Sequence, residues 1–163
     1  MTGNPRNNNL DKYKTAVILK DGSTLHLRPI LRDDEERMLA LFYRMSPHTS
    51  YLRFHQVLNH MTKEEVRRFC TVDYDNTFAL VATLGEDVEE KVIAVGRYAR
   101  LPRIDAAELA LVVEDAYQGR GIGTLLLEQD IAGRNDVADE DRDVPEAVQF
   151  EGPANSRIED LLA

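Results

Sequence analysis

The stretch AELALVVEDAYQGRGIGTLLLEQD, residues 107–130, constrains this chain more than any other. A short apolar run with one carboxylate in it reads as a strand, and the leucines after Ile122 read as a helix. Between them lie Gly119, Gly121 and Gly123. A helix start has four N–H groups that the helix itself does not use, and a partial positive charge. Glycines let such donors wrap an anion without interference from Cβ, so strand, glycine loop and helix together read as an anion cradle. A strand-to-helix turn that merely packs tightly is the alternative, and the glycines alone leave both open. Spacing argues against two phosphate loops. A nucleotide-binding P-loop needs a lysine after its last glycine, where this chain has Thr124 and Leu125. A dinucleotide loop needs G-x-G-x-x-G after the first strand of a parallel unit; this one is a residue short and lies in mid-chain.

The elements around the loop set its context. Residues 1–14 are polar, with three consecutive asparagines, and read as disordered. TAVILKDGSTLHLRPI reads as a hairpin, with Asp21-Gly22 as its turn. Asp33 with Glu36 resembles a capping box, followed by Met38, Leu41, Phe42 and Met45 at helical spacing. Ser46-Pro47 opens a second helix, SPHTSYLRF. Thr62 with Glu65 is a fuller box, with Met61 and Val66 placed as a hydrophobic staple. FALVATL and KVIAVGRYARL, joined by GEDVEE, predict an antiparallel pair, and AAELALVV a third strand. The fold class expected is α/β, in the α+β sense.

Charge narrows the partners. The net charge of −9 is concentrated in residues 129–163, which hold ten acidic and three basic residues, or −7. The remaining 128 residues, nineteen acidic and seventeen basic, carry −2. No basic stripe points to nucleic acid, and nothing points to a membrane. Cys70 is the single cysteine, so no internal disulfide forms. Its helical pattern beside Phe69 predicts a buried, inert thiol, and the expected location is the cytoplasm.

With these residues in view, Gln118-Gly119-Arg120-Gly121-Ile122-Gly123 resembles the Q/R-x-x-G-x-G/A motif of the GNAT superfamily of N-acetyltransferases. SPHTSYLRF, MTKEEVRRFCTVDYDNTFALVA and AAELALVVEDAYQGRGIG are similar to the catalytic domain of bacterial protein-lysine acetyltransferases. The resemblance covers about residues 15–130. It implies a mixed, mostly antiparallel sheet flanked by helices, with acetyl-CoA as co-substrate and no metal. The backbone of Leu111, Val112 and Val113 would bond the pantetheine arm. The amides of Gln118, Gly119, Arg120, Gly121, Ile122, Gly123 and Thr124 would hold the pyrophosphate, with Arg120 adding charge. Glu108 would be the general base for an amine acceptor, a protein lysine being one option. Burial among Leu109, Ala110 and Leu111 would raise its pKa, as that task requires. The alternative function is a non-catalytic acyl-CoA-binding or regulatory module. A homo-oligomer stays open.

Other candidates are weaker. His26, His48, His55 and His60 lack metal-binding spacing, and His26 is expected to face solvent. Ser50, Tyr51, Arg53 and Phe54 fit packing and substrate contact alike. Tyr117 reads as packing, and Glu114-Asp115 as a solvated pair at a strand end. Residues 131–163 read as an acidic, mostly irregular tail where the resemblance implies further strands and an Asn or Tyr near the thiol. Truncation or frameshift, a substitute strand at AVQF, and completion of the sheet by a partner subunit are the three accounts of that tail.

Overall fold

The computed structural model describes residues 10–11, 13–48, 62–72, 77–100, 106–137 and 147–151; for 106–108, 130–137 and 147–151 it describes the backbone alone. The hairpin forms as β1 (Thr15–Ile18) and β2 (Thr24–Pro29), with Gly22 at φ +87° in the turn. Leu25 and Leu27 are buried while their neighbours are not, the period-2 pattern of a strand covered on one face. β3 (Thr77–Leu84) and β4 (Lys91–Arg100) pair antiparallel and are buried nearly throughout. A continuous apolar run such as FALVATL is the sequence form of a strand covered on both faces. β5 (Ala106–Val113) pairs antiparallel with β4. Near Ala82/Thr83 the β3–β4 register slips by one residue, so Ile93 is extra. Ile93 and Ala94 consequently enter the same core cluster.

Helices cover both faces. α1 (Glu35–Arg44) and α2 (Lys63–Cys70) bury Met38, Leu41, Phe42, Val66 and Cys70 against Val81, Val92, Val95 and Val112. α3 (Ile122–Val137) places Ile122, Leu126 and Leu127 against Phe78, Leu80, Ile93 and Leu109. The Thr62 capping box is present: Thr62 Oγ1 accepts from Glu65 N–H at 3.2 Å, and Glu65 Oε2 accepts from Thr62 N–H at 2.8 Å. Its staple partner Met61 lies outside the described residues, as does most of the helix expected from Ser46-Pro47.

Two expectations change. The helix start is organised by Asp34 rather than Asp33 and Glu36. The chain makes a 3₁₀ turn at Arg32–Asp34, and the Asp34 carboxylate accepts from Leu31 N–H at 2.7 Å before α1 begins at Glu35. Asp34 is fully buried because Arg28 reaches it from β2 through two bonds of 2.8 and 2.7 Å. Second, α3 runs to Val137, into the segment 131–163 read as mostly irregular. In line with one of the three accounts of the tail, the AVQF segment forms β6 (Ala147–Glu151), parallel to β5. The sheet order is β1-β2-β3-β4-β5-β6, five antiparallel strands with a parallel sixth. No described helix is long and apolar enough to cross a membrane.

Cys70 is buried, and burial, with Asp34 and Glu35 nearby, pushes its thiol up from 9.0 to about 12. Between those values the unfolded chain releases this proton while the folded one keeps it. The thiol's contribution to stability is therefore complete below pH 9 and fades as pH rises toward 12. Urea unfolding at pH 8 and pH 10.5 should show a loss that Cys70→Ala reduces. An equal loss in both proteins would remove Cys70 as its source.

Candidate functional site

The site begins where β5 ends. Glu114 N–H bonds the Ile93 carbonyl at 2.8 Å. Peptide groups alternate along a strand, so the next groups upstream, Val113 N–H and C=O, point to the opposite edge, away from β4. Two residues back, Leu111 does the same, while Val112 turns its backbone toward β4. β6 pairs with this outer edge over residues 106–110, ending at Ala110 opposite Glu151. Among the described residues no strand pairs beside Leu111–Val113, so the edge opens there.

Glu108 pairs with Ala99 of β4 and Gln149 of β6, three residues before that opening. β5 is therefore interior at this point. The side chain of Glu108 lies outside the described residues, and its role as base rests on the sequence resemblance.

Beyond Val113 the chain turns through a 3₁₀ segment, Asp115–Tyr117, into the glycine loop. Gly119 and Gly121 have φ +73° and +81°, a region that disfavours any side chain. A Cβ at either would meet nothing within 4 Å, so the loop faces open space. Gly123 differs: its Cβ would lie 3.0 Å from Leu111 Cδ2, so this glycine lets α3 sit close against β5. The first turn of α3 closes with Leu125 N–H bonding Gly121 C=O at 3.1 Å, and the amides before Leu125 are donors the helix itself does not use. Gln118 Nε2 donates to Val113 C=O at 3.0 Å, which ties the loop back to the open edge. Ile122 is buried in the core, so only its backbone can serve a ligand. The structure thus brings Leu111, Val113, Gln118, Gly119, Arg120, Gly121, Gly123 and Thr124 around one mouth.

The acidic pair before the loop is anchored rather than solvated. Glu114 is buried, with Arg44 Nε at 3.1 Å and Lys91 Nζ at 3.4 Å from its Oε1. Asp115 is exposed but accepts from Ser46 N–H at 3.1 Å and Ser46 Oγ at 2.7 Å. The C-terminal end of α1 therefore grips both residues that lead into the loop. Lys91 also lies over the Tyr117 ring, 5.4 Å from its centroid, which supports the packing role read for that residue. These links escape sequence reasoning because Ser46 and Asp115 are 69 residues apart. The adjacent acidic pair was the only signal.

Among the other candidates, His26 is half-buried and His48 exposed. Ser50, Tyr51, Arg53, Phe54, His55 and His60 lie outside the described residues.

Substituting Gly121 by Ala should cost roughly 1–2 kcal/mol, the penalty of a left-handed conformation at a residue with a Cβ. Gly123→Ala should cost less, because Leu111 can move its methyl and Ala favours the helix. Urea midpoints of the two variants check the order; a more destabilised Gly123→Ala protein would contradict it.

A family model described as the acetyltransferase (GNAT) family matches residues 44–132. Over 119 residues the chain is 31% identical to an acetyltransferase of Pseudomonas aeruginosa, covering 72% of this chain and 64% of that protein. Over 122 residues it is 37% identical to Acetyltransferase Pat of Mycolicibacterium smegmatis, covering 74% of this chain and 36% of that one. It thus spans less than two thirds of either relative. The crystal structure of the GNAT domain of S. lividans PAT matches with a TM-score of 0.69 at 32% identity, over 77% of this chain and 74% of that chain.

Proposed function

The chain belongs to the acetyltransferase (GNAT) family, and on that premise we propose that it moves an acetyl group from acetyl-CoA to an amine by direct attack, with Glu108 as general base. The observation that carries the proposal is the pairing of two features at one mouth. A loop with two left-handed glycines opens α3, and beside it lies the strand edge at Leu111–Val113 that β6 leaves unpaired. Gln118 N–H already donates to Asp115 C=O at 3.3 Å, so a diphosphate suits the amides from Gly119 to Thr124, and an extended amide-bearing arm suits the outward groups of Leu111 and Val113. Val113 C=O already accepts from Gln118, and the parallel pairing of Ala110 with Glu151 uses Leu111 N–H, so the Leu111 C=O and the Val113 N–H are the groups best placed for that arm. Bound acetyl-CoA would supply the thioester carbonyl.

Glu108 would take a proton from the acceptor ammonium, directly or through water, so that the neutral amine can attack. A backbone N–H of β5 would polarise the carbonyl oxygen. A protein lysine is the acceptor favoured by the sequence resemblance. A single buried thiol fits a reducing compartment, and the proposal places the protein in the cytoplasm.

A non-catalytic acyl-CoA-binding or regulatory module is the second reading. Calorimetry with acetyl-CoA followed by thiol release with lysine-rich proteins separates the two. Binding with release is expected of the enzyme, binding without release would favour the module, and absence of binding would overturn both.

A further inference from the structure

We propose that Asp21, in the β1–β2 turn, limits the affinity of the glycine loop for a diphosphate by holding Arg120 in competition with it. This inference rests on the acyl-CoA reading of the loop. Asp21 and Arg120 are 99 residues apart in sequence, yet Arg120 Nη1 lies 3.4 Å from Asp21 Oδ2. The turn aims the carboxylate. Asp21 Oδ1 accepts from Ser23 N–H at 2.9 Å and from Ser23 Oγ, which leaves Oδ2 toward the arginine. These Ser23 bonds, with a smaller effect of Arg120, hold the Asp21 carboxyl below its ordinary range, so it is charged at neutral pH.

Arg120 is also kept beside the loop by Tyr117, whose ring centroid is 5.4 Å from the guanidinium carbon. Its charge is thus held at the mouth while a fixed carboxylate occupies part of its donor capacity. A phosphate arriving at Gly119 and Gly121 must take Arg120 from Asp21, and it then faces that carboxylate as a like charge. Both effects weaken anion binding, and both disappear when Asp21 is neutralised. The partners are 44% and 54% exposed, so the effect is that of a surface ion pair and fades with salt.

Asp21→Asn keeps an acceptor for Ser23 and removes the charge; Asp21→Ser is a second variant with a turn-forming hydroxyl. Acetyl-CoA is titrated calorimetrically into the wild type, both variants, Arg120→Ala and the Asp21→Asn/Arg120→Ala double variant. The expected result is affinity about two- to fivefold tighter in the Asp21 variants near 50 mM salt. The gain should shrink near 500 mM salt and largely vanish without Arg120. Equal or weaker binding by both Asp21 variants, with the wild type binding measurably, would overturn the inference, as would a gain that persists in full without Arg120. Absence of acetyl-CoA binding in every protein would instead overturn the acyl-CoA reading on which the inference stands.

Discussion

Replacement of Glu108 by Gln is expected to lower acetyl transfer by about 10²–10⁴-fold while leaving acetyl-CoA affinity nearly unchanged. The amide has the shape of the carboxylate but cannot accept the proton that must leave the acceptor. Glu108 holds an interior strand position, paired to Ala99 and Gln149, three residues before the outer edge of β5 opens. The proposed diphosphate contacts lie at the far end of that strand, beyond Val113, so the substitution should not reach them. Thiol release at saturating acetyl-CoA measures the first quantity and calorimetry the second. The alkaline rise in rate that reports a titrating base should also be absent from the variant. Unchanged turnover would remove Glu108 from the mechanism, and a parallel loss of acetyl-CoA binding would reassign it to structure.

Asp34→Ala should destabilise the fold by about 3–5 kcal/mol, the typical result of removing one partner from a buried charge pair. Arg28 donates to Asp34 through Nη1 at 2.8 Å and Nη2 at 2.7 Å, to Glu90 through Nε at 2.8 Å, and to the Pro29 carbonyl at 3.1 Å. Burial works against the arginine's charge, but the Asp34 and Glu90 bonds outweigh it and hold its pKa above the ordinary value. Without Asp34 a guanidinium whose side chain is only 14% exposed keeps Glu90 as its one carboxylate, and Leu31 N–H loses its acceptor. Asp33→Ala, one residue away and exposed, should change stability by no more than about 0.5 kcal/mol. Urea unfolding of the two variants checks the contrast; similar midpoints would show that the buried pair contributes little.

That contrast also shows where sequence reading stops. The capping pattern pointed to Asp33 because Glu36 stands three residues on. The deciding partner was Arg28, on a strand whose position beside α1 no local pattern reports. At Thr62 the same rule worked, because both partners of that box lie within one helical turn. Glu114-Asp115 followed the first case: two adjacent charges look solvated until α1 brings Arg44 and Ser46 against them. In the acidic tail a strand at AVQF was one of three accounts, and its five residues are a strand because β5 offers an edge to pair with.

The sequence by itself determined the hairpin, the two-sided burial of β3 and β4, and the two glycines whose positive φ shapes the loop. Each of these depends on residues within a few positions of one another, where backbone sterics and hydrophobic period act directly. The family was legible for the same reason, since its motif is a local backbone shape. Only the tertiary structure decided which carboxylates are buried, where the edge of β5 opens, and that Asp21 faces Arg120. Those outcomes depend on contacts between segments tens of residues apart, and the electrostatics of such a contact exist only once the sheet has brought its two sides together.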